Sequence, residues 1–340
     1  MRQRWIGLCG LLVVALVVGC SKKTPELVPA ELTAAQLAVV HRLGLDAERI
    51  AELEAKPLYE FDERDVHDYL AFVQETIPDL RERVVFLGRK NIGQPYSLHL
   101  LGESPFEPYD PQPLYCLDKS DCVVFSEHTY AMALSRDWPT FFRMLQRIRY
   151  RDGQIGVATR NHYTEADWNV NNSWLVEDIS EWLAGDDAIR FNTKFDRASF
   201  LNKTFGVASN YAPQPMEVVF VPMEKVAEIE HLLQPGDFVN VMRGRHGGYW
   251  AGHVGMITVG PDGTRNFLHS TPPRVVEEPL AGYIEKNMKR IPKLEKENKA
   301  RLYGFKFLRL HDDPLANLRE IDGPEAPRMA IPLAGSLDGN

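Results

Sequence analysis

Cysteine is scarce: four in 340 residues, too few for a scaffold built on disulfides. There is no His-Glu-x-x-His and no paired Cys-x-x-Cys, so no metal site is expected. A Gly-x-x-x-x-Gly-Lys phosphate loop and a Gly-x-Ser-x-Gly elbow are also missing. That removes the signatures of P-loop nucleotide binding and of one large class of serine hydrolases, and leaves no cofactor indicated. Positive charge is in deficit, with 39 Lys and Arg against 47 Asp and Glu, a net −8, so a nucleic-acid partner has no electrostatic support. No internal repeat or long low-complexity tract occurs. What remains, 44% hydrophobic and 25% charged, is ordinary globular composition for one sizeable domain or two small ones. Nothing in it indicates an oligomeric state.

The one long apolar run, Trp5 to Val18, follows Arg2 and Arg4 and is too short to span a membrane comfortably in a mature protein. Residues 1–19 therefore read as a targeting segment. Val17-Val18-Gly19-Cys20 resembles the lipobox of bacterial lipoproteins, which implies cleavage before Cys20 and a lipid on Cys20. Acyl chains at about 0.8 kcal/mol per buried CH₂ would tether the chain to a membrane of the bacterial envelope, on the periplasmic side. A plain signal peptide or an uncleaved anchor is the alternative. Residues 20–31 then form a polar tether. Once the signal has left and Cys20 is lipidated, Cys116 and Cys122 are the remaining thiols. Their short spacing, with Cys122 entering a helix, favours two free thiols over a disulfide.

From Leu32 to about Gly88 the pattern is helical, in four segments marked by Leu32, Leu37, Val40 and Leu43, Ile50 and Leu53, Val66, Leu70 and Val73, then Leu80, Val84 and Leu87, with Pro57 and Pro78 as punctuation; residues 32–80 form an N-terminal extension. A loop to Asp121 comes next, with Gly93-Gln94-Pro95-Tyr96 as a turn. Helices are expected from Cys122 to Leu134 and from Pro139 to Arg149, a short strand near Ile155–Val157, and a polar-aromatic loop over Arg160–Trp168. Residues 186–233 are hard to read, mixing a strand-like Met216–Val221 with a helical Val226–Leu233. Strands are expected at Phe238–Met242, His253–Val259, Thr264–Ser270 and Leu302–Leu310, with a Gly-rich loop over Arg243–Gly252. Glu277–Ala300 reads as a charged helix broken at Pro292, and 311–340 as a poorly ordered tail.

Leu117-Asp118-Lys119-Ser120-Asp121-Cys122 leads a polar turn into a thiol on the first turn of a helix. A helix N-terminus favours thiolate over thiol, so a lowered pKa is expected at Cys122. A cysteine nucleophile needs a base, and the base needs an orienting group. His41, His67 and His231 sit on charged helical faces, and His128 points away from its own first turn. His253 and His269 are related by geometry. Gly260-Pro261-Asp262-Gly263 suits a three-residue hairpin loop with Gly263 left-handed, which sets Gly260 opposite Thr264. His269 then faces Gly255, a diagonal neighbour of His253 on the same side of the sheet. A four-residue loop would put the two histidines on opposite faces.

Several of these segments together resemble the NlpC-type cell-wall hydrolases: Gly-x-Pro-Tyr at 93–96, Asp121-Cys122, Pro235-Gly236-Asp237 and Gly252-His253-Val254-Gly255. Within them, Asp121-Cys122 with Glu127, Ile148–Gly153, Arg160-Asn161-His162-Tyr163, Asp167-Trp168 and Leu268-His269-Ser270 resemble the N-acetylmuramoyl-L-alanine amidase-like branch. The resemblance spans about residues 80–310 and implies an α+β, papain-like core, a Cys-bearing helix packed on an antiparallel sheet, as a catalytic domain over 81–310. It implies Cys122 as nucleophile, His253 as base and His269 as its partner. Tyr96, Asp121, Arg160, His162, Tyr163, Asp167 and Trp168 would line the substrate site. The expected substrate is peptidoglycan or a muropeptide, cut at an amide bond through a Cys122 thioester. A stem-peptide endopeptidase and a non-catalytic muropeptide-binding lipoprotein are the rival readings. Val124, where threonine is common, and Ser270-Thr271, in place of Ala-Ser, depart from the pattern.

Overall fold

The structure, a computed structural model, describes residues 28–102 and 114–323. The signal segment, Cys20, most of the tether and the tail beyond 323 lie outside the described residues.

Four amphipathic helices open the chain: α1 (Ala34–Leu43), α2 (Ala47–Ala55), α3 (Glu63–Thr76) and α4 (Leu80–Arg89). Each starts on a side chain that accepts orphan amides, Thr33, Asp46, Asp62 and Asp79 in turn. Their apolar stripes share one core with α5 (Cys122–Ala133) and α6 (Trp138–Arg149), in which Val40, Leu53, Tyr69 and Leu87 meet Phe125, Tyr130 and Ile148. The extension also holds the far end of α5. Arg83 Nε donates to the Ala133 carbonyl at 2.7 Å, and Gln74 Nε2 donates to the same oxygen at 2.8 Å. Cations and amides there satisfy carbonyls that the last helical turn leaves open.

Among the described residues eight strands form one antiparallel sheet: β1 (Val176–Asp178), β2 (Ile189–Phe195), β3 (Gln214–Pro222), β4 (Phe238–Arg245), β5 (Gly248–Val259), β6 (Arg265–Thr271), β7 (Arg274–Pro279) and β8 (Arg301–Leu310). The order is β2-β3-β8-β4-β5-β6-β7, with β1 also on β8. Val254, Met256 and Leu268 pack into the core of α5, whereas Ile257, Phe267 and Phe305 face a second core covered by the helix α8 (Leu280–Lys296). The α+β expectation and the N-terminal helices hold.

Several local expectations do not. Arg243–Gly252 is not a loop: β4 and β5 pair down to Arg245↔Gly248, and His246-Gly247 turns the chain with φ of +52° and +78°. Two left-handed residues give the twist of a two-residue hairpin. Ile155–Val157 forms no strand and is part of a turn. Residues 274–279, read partly as helix, are β7. The helix after it runs through Pro292 to Lys296, held by Leu280, Tyr283, Ile284 and Ile291 against the sheet. The stretch 186–233 holds two strands and the helix α7 (Arg197–Phe205). The tail is ordered over α9 (Pro314–Asp322), because Asp313 caps it and Leu318 is buried in the first core.

Candidate active site

Cys122 is the first residue of α5. Asp121 before it is extended, and its carboxylate accepts the amides of Val123 at 3.0 Å and Val124 at 2.8 Å. Asp121 is thus the helix cap, through its Oδ1. The turn leading in is tied to the sheet. Ser270 Oγ donates to the Ser120 carbonyl at 2.9 Å, and Ser120 Oγ donates to Gln94 Oε1 at 2.6 Å. The serine at 270, a departure from the expected pattern, fastens the approach to Cys122. Tyr96, bridged to Ser120, brings its phenol near the thiol, and burial, with Cys122 and Asp121 close by, raises the phenol's pKa.

The β5–β6 ladder is paired from Val259↔Arg265 to Met256↔Leu268. Gly260 N bonds the Thr264 carbonyl at 2.8 Å and Gly263 has φ +83°, so the turn and register are those expected from the sequence. Beyond Met256, the Val254 backbone lies close enough to the Cys122 sulfur for its amide, with those of Cys122 and Val123, to favour the charged form of the thiol. The sulfur therefore meets the strand backbone one residue from His253. On the next position of β5, His253 Nε2 lies 2.7 Å from His269 Nδ1. His269 is buried, stacked on Phe267 with ring centres 4.3 Å apart, and its Nε2 is 3.3 Å from Glu278 Oε1.

Electrostatics overturn one expectation. Burial, reinforced by Asp121, pushes the Cys122 thiol up to about 12, and the three amides only partly offset this. Burial, His269 and Arg243 hold His253 well below its ordinary value. The resting pair is neutral thiol and neutral imidazole. The helix N-terminus does not win, because desolvating a thiolate costs more than one turn of amides returns. The Cys122 alkylation rate with iodoacetamide is accordingly expected to keep rising from about pH 5 to about pH 9, close to tenfold per unit. Peptide mapping of timed reactions checks this, and a plateau below about pH 8 would show a stabilised thiolate. Cys116 is also a free thiol, raised to about 11 by burial and Asp118.

The other expected site residues divide. Arg160, His162, Tyr163 and Asp167 line one small pocket with Arg151, Arg197 and Phe200. Arg160 donates to the Leu101 carbonyl at 3.2 Å and rests on the Phe205 ring. His162 is packed against Phe200, and burial with Arg160 lowers it to about 4. Asp167 is paired with Arg197 and also accepts the Tyr163 amide at 2.9 Å. Trp168 is not in the pocket: it is buried, with its ring centre 4.2 Å from that of Phe238 and its indole N–H on Glu127. Glu127 pairs in turn with Arg149 at 3.0 Å, a buried ion pair behind the cysteine helix. Thr164–Trp168 is a π-helical turn, and its Glu165 carboxylate accepts the Ala251 amide on β5. That bond joins the pocket segment to the histidine strand. Among the described residues no cluster of three or more His, Cys, Asp or Glu is placed to hold a metal.

Sequence reasoning missed Glu278, Arg243, Tyr283 and Glu165. Reading Val275–Glu278 as a strand, alternating with β6, was the available signal for the first of these.

Among solved structures the chain resembles a Legionella pneumophila protein, at 18% identity and TM-score 0.59, over 71% of this chain and 93% of that one. It also resembles an N-acetylmuramoyl-L-alanine amidase from Bacteroides uniformis, at 21% identity and TM-score 0.53, over 68% of this chain and 98% of that one. No curated protein matches at a significant level. Residues 86–291, from within α4 to within α8, match a single family description. Since that match takes in the cysteine helix, the pocket segment and the histidine hairpin alike, the chain belongs to the N-acetylmuramoyl-L-alanine amidase-like family.

Proposed function

We propose that this protein hydrolyses the amide between the lactyl group of muramic acid and L-alanine in peptidoglycan or its muropeptides, through a thioester on Cys122. The observation that carries the reading is the Cys122 sulfur set against the Val254 amide, one residue from the hydrogen-bonded His253–His269 pair. A thiol on a helix, a sheet-borne imidazole and a third polar group are the parts that a papain-like, NlpC-type site would use.

The thiol proton passes to the His253 ring as sulfur attacks the lactyl carbonyl carbon. The carbonyl electrons move onto oxygen, where the Cys122 amide is a donor. As the C–N bond breaks, His253 returns the proton to the alanine nitrogen, which leaves as the amine. Water then gives a proton to His253 and its oxygen to the thioester carbon. Sulfur departs and takes the proton back, leaving a free lactyl carboxylic acid. Three arginines, Arg151, Arg160 and Arg197, line one small pocket against a single carboxylate, Asp167, an excess of positive charge suited to the carboxylates of a stem peptide. Cleavage before Cys20, with a lipid on that residue, would hold the enzyme at the envelope beside its substrate.

Mass spectrometry of a digested muropeptide tests the bond. The expected products are a sugar with a free lactyl acid and an intact stem peptide beginning with L-alanine. Products that keep L-alanine on the sugar would replace the amidase with an endopeptidase. Binding without cleavage would leave a muropeptide-binding lipoprotein.

A further inference from the structure

We infer that Glu278 is a positioning residue that fixes the tautomers of both histidines and leaves His253 Nδ1 without a proton, in the state a base requires. Its catalytic consequence rests on the hydrolase reading above; the tautomers themselves do not.

An ionised carboxylate only accepts, so the contact between His269 Nε2 and Glu278 Oε1, at 3.3 Å, requires the proton on Nε2. A neutral imidazole has one N–H, which leaves His269 Nδ1 an acceptor. That atom lies 2.7 Å from His253 Nε2, so His253 must donate there. The single N–H of His253 is then spent, and its Nδ1 is free to accept a proton. Without the carboxylate, His269 can turn its N–H onto Nδ1, His253 Nε2 becomes the acceptor, and the proton moves to His253 Nδ1. In that state His253 cannot act as the base.

The sheet builds this line by repeating one step. Glu278 stands opposite Phe267 on β7, diagonal to His269, as His269 is diagonal to His253 across β5 and β6. Lys286 of α8 holds the other Glu278 oxygen, which keeps the carboxylate ionised and aimed. The remaining side chains against the pair are Phe267, Tyr283 and Arg243. Phe267 has no polar atom. Arg243 can only donate, and the Tyr283 phenol oxygen is taken up by Arg243, so neither competes with Glu278 as acceptor for the rings.

The test is histidine ¹⁵N–¹H correlation spectroscopy on the full chain, with His253→Gln and His269→Gln spectra to assign the two rings. Both rings are expected as Nε2–H tautomers. Glu278→Leu is expected to populate Nδ1–H on His269 and to lower kcat about 10- to 100-fold, with KM changed far less. Glu278→Gln, whose amide oxygen can still accept, is expected to keep the tautomers and most of kcat. An Nδ1–H tautomer of His269 in the unaltered chain, or unchanged tautomers in Glu278→Leu, would overturn the inference. Tautomers as described in a chain that cleaves no muropeptide would support the relay and place the failure in the hydrolase reading.

Discussion

Cys122→Ala is expected to lower kcat/KM on muropeptides by about 10⁴-fold or more while leaving the fold intact, and His253→Ala is expected to do the same. The fold should survive because little of it depends on the sulfur. Asp121 caps α5 through the amides of Val123 and Val124, and the Cys122 carbonyl, which accepts from Ser126 Oγ at 2.9 Å, is backbone. Alanine also has the best helix propensity, so the first turn gains rather than loses. The double variant should cost little more than either alone, since nucleophile and base act as a unit. Kinetics on a defined muropeptide, beside thermal melts of each variant, check this. Residual activity above about a hundredth in Cys122→Ala would remove the thiol from the mechanism, and loss of activity to a chelator with zinc rescue would replace it with a metal.

The second large effect is expected from a single methyl group at Gly255. A Cβ there would stand 2.6 Å from a Phe267 ring carbon, 2.7 Å from the Leu268 carbonyl and 2.8 Å from the His269 Cβ. The carbonyl belongs to the ladder and cannot move without parting β5 from β6, and the ring is locked beneath His269. Gly255→Ala should therefore destabilise by about 1–3 kcal/mol, the usual cost of overpacking. It should also widen the 2.7 Å contact between His253 and His269 and lower kcat about 100-fold. Gly263→Ala, four residues past the end of β5 with no atom within 4 Å of its Cβ position, is a control for strain without a clash. If Gly255→Ala melts and turns over like the unaltered chain, the close approach of the two strands does not matter to the site.

How much of the fold and the site was legible depends on how far apart the interacting residues lie. The four opening helices are written in the spacing of their apolar residues and in caps one to three positions away. The hairpin that joins His253 to His269 is also local. Pro261 and Asp262 shape the turn, Asp262 Oδ1 accepts the Thr264 amide at 3.0 Å, and Gly263 takes the left-handed position. Register then propagates along both strands with period two, so two residues sixteen apart are placed by four. The stretch from Ile189 to Phe205 resisted because its strand alternates half-buried with exposed residues, and no helix period stands out over Arg197–Phe205. Glu278 was lost for a related reason. Glu277 and Glu278, standing at the head of a long charged run, have the composition of a helix start, and only pairing with β6 makes them strand.

By itself, then, the sequence determined the helical extension, the thiol at the head of α5, and the turn that pairs two histidines on one face of a sheet. Tertiary structure decided the rest. It buried Trp168 on Phe238, paired Asp167 with Arg197, and straightened Arg243–Gly252 into a hairpin. It also left Cys122 a thiol in its resting state. Turn chemistry and helix periodicity act over a few residues and can be read from order alone. Burial and the partner each charge finds are set by segments tens of positions away, as Phe238 is from Trp168 and Arg197 from Asp167, and those terms outweigh the local preference wherever a polar group leaves water.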